Sequence, residues 1–362
     1  MIFTQTLIGW YNSNKRKLPW RETSDPYKIW LSEIILQQTR IDQGQKYYLK
    51  FIEKYPDISS LASASEQEVL KLWQGLGYYS RARNLLITAR LITTNYNGKF
   101  PVDHDELLKL KGIGSYTAAA VSSLAFGQAY PVVDGNVTRF LSRYYGLRIP
   151  ANSTGSKKEM RKLAQATIDP CHPGIYNQAL MEFGALVCTP RNPVCESCIF
   201  KTECKAYQQD LVKVIPVRSD RIKSKMRYFN YAVIVAEEKW ICIKKRTGND
   251  IWKSLYDFPL IEKVKKPTIK AVAFEFSEKL KGTEIRSLVQ YPPEYKHVLT
   301  HQIIVGRFFI IELYQAHQLK NVAARFGSDT KVIRIEEINR FPVPKLIEKF
   351  LNNYLQTPQL LK

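Results

Sequence analysis

The 362-residue sequence lacks the long apolar runs that place a chain in a membrane. No stretch reaches the roughly 18 consecutive apolar residues that a membrane span needs. Residues 1–17 also lack the basic segment followed by an apolar core that marks a secretory leader. We therefore expect a soluble protein of the cytoplasm.

Acidic residues are few relative to basic ones. The chain has 33 Asp and Glu against 54 Lys and Arg, which gives a net charge of +21 at pH 7 and an isoelectric point near 9.6. Such an excess favours a polyanionic partner, with nucleic acid as the first candidate and an anionic membrane surface as the second. The length is sufficient for two domains with separate cores.

Cysteine is also scarce, because the chain has only six. Four are crowded in one loop, where their spacing could bring four thiolates onto one metal or cluster: Cys188, Cys195, Cys198 and Cys204. Disulfides are disfavoured without an export signal. Zinc sites more often pair two Cys-x2-Cys units, and only one is present, so the spacing leaves zinc and a [4Fe-4S] cluster open. We interpret Cys171 and Cys242 as structural.

A glycine-containing turn, Lys111-Gly112-Ile113-Gly114, joins two short apolar segments. The glycines permit a tight turn, and the N–H groups that open the second segment suit a phosphate. An ordinary helical hairpin is the alternative, because Gly-x-Gly alone is a weak pattern. Further along, Asp134 directly precedes a helix predicted over 137–145, a position where aspartate ordinarily caps the helix.

Glu33 lies in the apolar stretch Trp30-Leu31-Ser32-Glu33-Ile34-Ile35-Leu36. Burying an ionised carboxylate is costly, so its pKa should rise toward the range of a general acid at neutral pH. A surface-facing glutamate on an amphipathic helix is the alternative interpretation.

The order of these motifs, ending in Val133-Asp134-Gly135-Asn136, resembles the helix-hairpin-helix DNA glycosylase superfamily, and residues 30–40 are similar to the adenine DNA glycosylase signature. The resemblance implies a multidomain enzyme of base excision repair. It would act as a monomer on double-stranded DNA and remove adenine opposite 8-oxoguanine or guanine. Glu33 would be the general acid, and Asp134 would stabilise the oxocarbenium-like sugar. The cysteine spacing then implies a [4Fe-4S] cluster rather than zinc.

The resemblance implies roles for further residues. Tyr116 and Asn136 join the catalytic set, and Tyr116 occupies the position of the catalytic lysine of bifunctional glycosylase/lyases, so a monofunctional enzyme is implied. The remaining implied positions are Arg16, Trp20 and Glu182 in the adenine pocket; Gln38, Thr39, Leu76, Tyr78, Lys111, Gly112 and Gly114 at the DNA; and Leu299, Thr300 and His301 at the lesion. Core packing of the residues around Tyr78 and a plain turn at 299–301 are the alternatives.

Beyond residue 227 the pattern changes to strands at 231–236, 240–243 and 307–313 and a helix at 268–280, which indicates an α+β domain. Its stretch 250–259 resembles the Nudix-like domain of adenine glycosylases.

The acidic metal-binding helix of Nudix hydrolases is missing, since only Glu275 and Glu278 are available, so we predict recognition without hydrolysis. The predicted domains are an all-α glycosylase domain (1–205), a basic linker (206–227) and a Nudix-like domain (228–362). The rival interpretations are a bifunctional lyase, a non-catalytic iron–sulfur DNA-binding regulator and a Nudix pyrophosphohydrolase.

Overall fold

The computed structural model describes residues 2–150, 153–217 and 224–356. The chain is helical as far as residue 208, which agrees with the predicted all-α part. These helices are α1 (Ile2–Asn14), α2 (Pro26–Leu36), α3 (Ile41–Lys54), α4 (Ile58–Ser63), α5 (Glu66–Trp73), α6 (Ser80–Asn95), α7 (His104–Lys109), α8 (Ser115–Phe126), α9 (Gly135–Tyr145), α10 (Thr154–Thr167), α11 (Pro173–Leu186) and α12 (Lys205–Gln208), with a 3-10 turn at Pro19–Arg21.

Beyond residue 224 the chain forms the predicted α+β part. Its elements are β1 (Lys225–Ala236), β2 (Trp240–Lys245), β3 (Tyr256–Asp257), β4 (Leu260–Lys263), α13 (Ile269–Lys279), β5 (Ile285–Val298), β6 (Gln302–Leu313), α14 (Gln318–Arg325), β7 (Thr330–Arg334), a 3-10 helix (Ile335–Arg340) and α15 (Lys345–Tyr354). None of the helices that the structure describes combines the length and the apolar character that a membrane crossing requires.

The chain divides into two compact units: Met1–Ala64 with Asn84–Arg221, and Ser65–Arg83 with Ile222–Lys362. The second unit therefore includes α5 and the loop after it, although both lie among helices in the sequence. The domain bounds at 205 and 227 stay predictions, and residues 218–223 of the predicted linker lie outside the described residues.

Small residues occur where two pairs of helices in the first unit pack closely. Helix α8 contains three consecutive buried alanines, and it packs against α2. Helix α11 approaches the start of α9 at Gly184, where an added Cβ would lie 2.6 Å from the Asn136 carbonyl oxygen. Only glycine fits there, and the contact holds the start of α9 beside α11.

The predicted helical hairpin is confirmed as α7, a turn and α8. Gly112 in the turn has a φ of +79°, which favours glycine. A Cβ at Gly112 would also lie 2.7 Å from the Asn84 Cβ, and Thr88 donates a hydrogen bond to the Lys111 carbonyl oxygen at 2.6 Å. The turn is thus fixed against α6.

A seven-stranded mixed sheet forms the body of the second unit, with the path β3-β2-β1-β6-β5; β4 also pairs with β1, and β7 with β2. The strands predicted at 231–236 and 240–243 form a hairpin, because β1 and β2 pair antiparallel with Ala236 opposite Trp240. Strands β1 and β6 run parallel, with Ala232 opposite Phe309. Helix α15 covers one face, where the Phe350 ring stacks on Phe308 at a centroid distance of 3.9 Å.

Candidate active site

A pocket of about 190 Å³ opens beside a larger groove of about 850 Å³ in the first unit. Both are lined by the residues that the sequence predicted to be catalytic. These residues lie in the interior of α2, in the first turn of α8 and at the start of α9. The residues common to both cavities are Glu33, Leu36, Thr39, Tyr116, Asp134 and Asn136. The pocket and the groove are therefore parts of one candidate site.

Glu33 lies inside α2 and is 6% exposed, so the alternative of a surface-facing glutamate is wrong. The Tyr116 hydroxyl donates a hydrogen bond to Glu33 Oε2 at 2.7 Å. Burial raises the pKa of Glu33 to about 7, and the negative charge of Asp134 acts in the same direction, whereas the Tyr116 hydrogen bond lowers it. A carboxyl with this pKa is half protonated near neutral pH.

Asp134 is the N-cap of α9, as the simpler interpretation of the sequence expected. Its Oδ1 accepts a hydrogen bond from the Val137 N–H at 2.7 Å, and its Oδ2 accepts one from the Asn136 side-chain amide at 2.7 Å. Burial raises the pKa of Asp134, against those hydrogen bonds and the nearby Arg139. Because both carboxyl oxygens accept hydrogen bonds, the geometry suits the ionised form of Asp134. The same side chain lines the pocket.

An ion cluster centred on the buried Glu182 also lines the pocket. Glu182 on α11 accepts hydrogen bonds from the side chains of Arg16, at 2.8 Å, and Arg21, at 2.7 and 2.9 Å. Burial alone would raise the pKa of Glu182, but the two arginines lower it to about 2. Trp20 also lines the pocket, so the three predicted pocket residues lie together.

Sequence reasoning missed several residues of this lining. Arg21 was passed over, although it follows Trp20 directly. On α11 the lining residues besides Glu182 are Gln178, Met181 and Ala185. Their spacing of three, four and seven residues is that of a single helix face, and this signal could have identified them once Glu182 was chosen.

The groove contains several of the residues predicted at the DNA. Gln38, at a φ of +55°, Thr39 and Gly114 line it. The first N–H groups of α8 have no side-chain cap, because Gly114 occupies the N-cap position. Such a helix start suits an anion. Lys111 and Gly112 are exposed in the preceding turn.

The second unit contains the remaining predicted residues. Leu76 is only 8% exposed, and its contact with DNA stays a prediction. Tyr78 is exposed, with a φ of +47°, and its hydroxyl lies 3.0 Å from the Thr300 hydroxyl. Thr300 lies in the tight loop between β5 and β6, closed by a hydrogen bond from the Leu299 N–H to the Gln302 carbonyl at 2.8 Å.

The exposed His301 follows in the same loop, and its carbonyl accepts a hydrogen bond from the Lys225 N–H at 3.0 Å. The plain-turn alternative thus describes the backbone of 299–301 correctly. The acidic candidates of α13 do not assemble a site, since Glu275 pairs with Lys263 at 2.9 Å.

The four crowded thiols surround one cavity of about 30 Å³, and all are free. Arg143 donates a hydrogen bond to Cys188 Sγ at 3.4 Å, and the Phe200 N–H donates one to Cys198 Sγ at 3.4 Å. Within the described residues, no three His, Cys, Asp or Glu side chains form a group that could hold a single metal ion. Of the two cysteines interpreted as structural, Cys242 is buried and Cys171 is exposed.

Two family models match the chain. Residues 31–169 match the HhH-GPD superfamily of base excision DNA repair proteins, and residues 230–353 match the NUDIX domain. The first match covers Glu33, Tyr116 and Asp134, and the second covers all of the sheet of the second unit except the start of β1.

Relatives match along most of the chain. An adenine DNA glycosylase of Buchnera aphidicola subsp. Baizongia pistaciae is 36% identical over 304 residues, which cover 83% of each protein. The human adenine DNA glycosylase is 43% identical over 216 residues, 57% of this chain and 40% of the human one.

Solved structures match the helical part. A thermostable thymine-DNA glycosylase is 34% identical with a TM-score of 0.54, over 57% of this chain and 96% of that one. An endonuclease III–DNA complex, at 24% identity and a TM-score of 0.51, covers 58% of this chain and 95% of its own, and it shares the fold.

Proposed function

The chain belongs to the adenine DNA glycosylase family, and from this premise we propose that it hydrolyses the N-glycosidic bond of adenine paired with 8-oxoguanine or guanine in duplex DNA. The observation that carries the proposal is the placement of Glu33, hydrogen-bonded to Tyr116, and Asp134 on one small pocket. The excess of basic residues supports a polyanionic substrate.

Glu33 is the proton donor in this mechanism. With a pKa of about 7 it carries a proton that it can transfer to a ring nitrogen of adenine, which turns a poor leaving group into a neutral one. Tyr116 is a positioning residue, because its hydroxyl bonds to Glu33 Oε2 and orients that carboxyl.

Asp134 acts on the sugar. As the C–N bond breaks, the sugar gains oxocarbenium character, and a carboxylate on its face stabilises that charge, as in glycoside hydrolysis. Asn136 holds Asp134 Oδ2 in place through its amide. A lyase needs a lysine amine at the position that Tyr116 occupies. Because Tyr116 has no amine to attack the sugar, a water molecule completes the hydrolysis.

The pocket accepts a single base turned out of the stack. A cavity of about 150 Å³ is enough to bind benzene, and this one has a volume of about 190 Å³. Trp20 supplies an aromatic lining, and the Arg16–Glu182–Arg21 cluster supplies polar groups. Base-modifying enzymes read a flipped base with such a combination.

The opposite strand is read by Thr300 and His301. Oxidation of guanine changes N7 from an acceptor into an N–H donor, so a reader must accept at that edge. A free hydroxyl could rotate and donate to ordinary guanine as well. The Tyr78 and Thr300 hydroxyl oxygens lie 3.0 Å apart, and either group can donate to the other. In the arrangement in which Thr300 donates to Tyr78, the Thr300 lone pairs are left for the lesion.

Changing Thr300 and His301 together to alanine should lower the preference for adenine opposite 8-oxoguanine over adenine opposite guanine by about 1 to 3 kcal/mol, the scale of one edge contact. Single-turnover rates and binding on the two duplexes measure this preference. Tyr78→Phe should lower the preference in the same direction, because it removes the phenol whose oxygen lies 3.0 Å from the Thr300 hydroxyl.

The matched control removes a hydroxyl and an imidazole elsewhere in the same unit. Ser328 and His317 are exposed, and the double change to alanine should leave the preference unaltered. An unchanged ratio in the Thr300/His301 variant means that the lesion is read elsewhere and that 299–301 is only a turn.

Cys188, Cys195, Cys198 and Cys204 hold a [4Fe-4S] cluster in this proposal. Cysteine thiolates are the usual ligands of such clusters, and the four thiols share a cavity with two N–H donors directed at sulfur. The cluster would cross-link the loop that follows α11.

Anaerobic purification followed by iron, sulfide and zinc analysis is expected to give four iron and four sulfide per chain, as the cluster formula requires. Cys198→Ser should lose this content, while Cys171→Ser, which removes an exposed thiol outside the cavity, should keep it. One equivalent of zinc without sulfide would overturn the assignment.

The proposed function is tested with duplexes that carry adenine opposite 8-oxoguanine, guanine or thymine. Base release should be fastest with the first duplex and slowest with the third. Equal rates on all three duplexes would contradict the proposed substrate class.

A further inference from the structure

Two cations of α10 line the same groove as the catalytic carboxylates. They are Lys157 and Arg161, one helical turn apart, and both are exposed. The groove also contains Asp134 and the uncapped start of α8 at Gly114. The basic side of α10 therefore shares a wall with the position where the sugar is expected.

The orientation of α10 follows from its buried face. Ser156, Met160 and Ala164, four residues apart, are fully buried, and the helix packs against α9. Each groove cation follows a buried residue by one position, so it lies about 100° around the helix from the core. Since Asp134 caps α9, the packing fixes α10 beside the residue that acts on the sugar.

A phosphate can bind in this groove only if cations offset the negative charge of its lining. The groove is lined by the Asp134 carboxylate, which repels a phosphate, so binding of the DNA backbone there requires cations nearby. Within the described residues, neither Lys157 nor Arg161 forms an ion pair with an acidic side chain. Exposed and unpaired, both are free to meet an anion in the groove.

We propose that Lys157 and Arg161 bind the phosphates next to the target nucleotide, on the strand that carries the adenine. This inference rests on the proposed function, because it takes duplex DNA as the substrate. A nucleotide whose sugar faces Asp134 brings its flanking phosphates into the same groove. The N–H groups of α8 suit the phosphate on one side, and the α10 cations bind the backbone on the other.

The helix supplies its own control. Lys158 and Lys162 are also exposed, and they stand about 100° further around α10, outside the groove lining. The double variants K157Q/R161Q and K158Q/K162Q each remove two positive charges from one helix. The long-range electrostatic attraction to DNA falls by almost the same amount in the two variants. A difference in their DNA binding therefore reports direct contact between the groove cations and phosphate.

The experiment measures duplex binding against salt concentration, with a 2′-fluorinated adenosine opposite 8-oxoguanine that resists cleavage. Each phosphate contact contributes about 0.9 to the slope of log affinity against log salt. The slope of K157Q/R161Q should be shallower than wild type by about 1.8, the sum of two contacts. The slope of K158Q/K162Q should stay at the wild-type value. Equal slopes for the two variants would overturn the proposal.

Neutral phosphates provide a second measurement on the unaltered protein. Methylphosphonates are placed one at a time at the phosphates flanking the adenine. A methylphosphonate at one or more of these positions should weaken binding by the wild-type protein and leave K157Q/R161Q binding unchanged. The variant already lacks the two cations that would contact the charged phosphate. If every position weakens both proteins equally, these side chains do not contact the flanking phosphates.

Adenine release by the wild-type protein is scored separately, so the two proposals fail independently. Release of adenine together with equal salt slopes removes only the α10 assignment. Unequal slopes without adenine release remove the proposed function and keep the groove as a nucleic-acid contact.

Discussion

Glu33→Gln is expected to slow adenine release by about 10²- to 10⁴-fold, the usual contribution of a general acid. Glutamine keeps the shape of the side chain and an oxygen that can accept the Tyr116 hydrogen bond, so the pocket retains its geometry. It has no acidic proton to give to the base. Duplex binding should therefore be nearly unchanged while the single-turnover rate falls.

The control is Glu53→Gln, an exposed glutamate on α3 outside the pocket, which should retain the wild-type rate. A Glu33→Gln rate within about tenfold of wild type corresponds to about 1.4 kcal/mol on the barrier. Such a small loss would contradict the role of Glu33 as the acid.

The pH dependence follows from the same carboxyl. Glu33 acts in its protonated form, so the rate should fall tenfold per pH unit above about 7. Stability has a related dependence, because the folded pKa of about 7 exceeds the ordinary value of 4.5. The neutral carboxyl contributes fully to the free energy of unfolding below about pH 4.5, and this contribution is lost as the pH rises to about 7. Across this pH window the wild-type protein should therefore lose stability relative to Glu33→Gln.

Asp134→Asn is expected to lower the rate by about 10²- to 10³-fold, the typical effect of removing one group that stabilises transition-state charge. Asparagine caps helices as well as aspartate does, so α9 should remain intact. What disappears is the negative charge that faces the sugar. Single-turnover rates and duplex binding, measured together, separate this loss from a folding defect.

The matched control is Asp57→Asn. Asp57 caps α4 in the same unit by accepting a hydrogen bond from the Ser60 N–H at 2.8 Å, and it lies outside the pocket lining. The same chemical change there should leave the rate at its wild-type value. If Asp134→Asn and Asp57→Asn behave alike, Asp134 is a helix cap without a role in the chemistry.

Local patterns were enough to predict the burial of Glu33 and the hairpin before α8, because both depend on neighbours in the sequence. The hydrogen bond from Tyr116 to Glu33 joins residues 83 positions apart and required the tertiary fold. Asp134 shows the same limit. Its polar neighbours were visible in the sequence, but the burial that raises its pKa depends on the packing around α9.

The second unit shows what long-range pairing adds. Strands β1 and β2 were predictable as a hairpin from adjacent apolar runs. Strand β5 was not, because Pro292 and Pro293 interrupt its pattern, and such residues are tolerated at the edge of a sheet, where β5 lies. Ser65–Arg83 belongs to this unit through contacts between residues far apart in the sequence, among them the hydrogen bond from the Val343 N–H to Gln74 Oε1 at 3.2 Å.

The most direct test is chromatographic detection of the released base from a duplex with adenine opposite 8-oxoguanine. The account predicts free adenine in amounts equal to the abasic sites formed, with the strand broken only after alkali. Borohydride should trap no covalent adduct with the protein, since Tyr116 supplies no amine. Strand cleavage before alkali with a trapped adduct, or no free adenine at all, would contradict it.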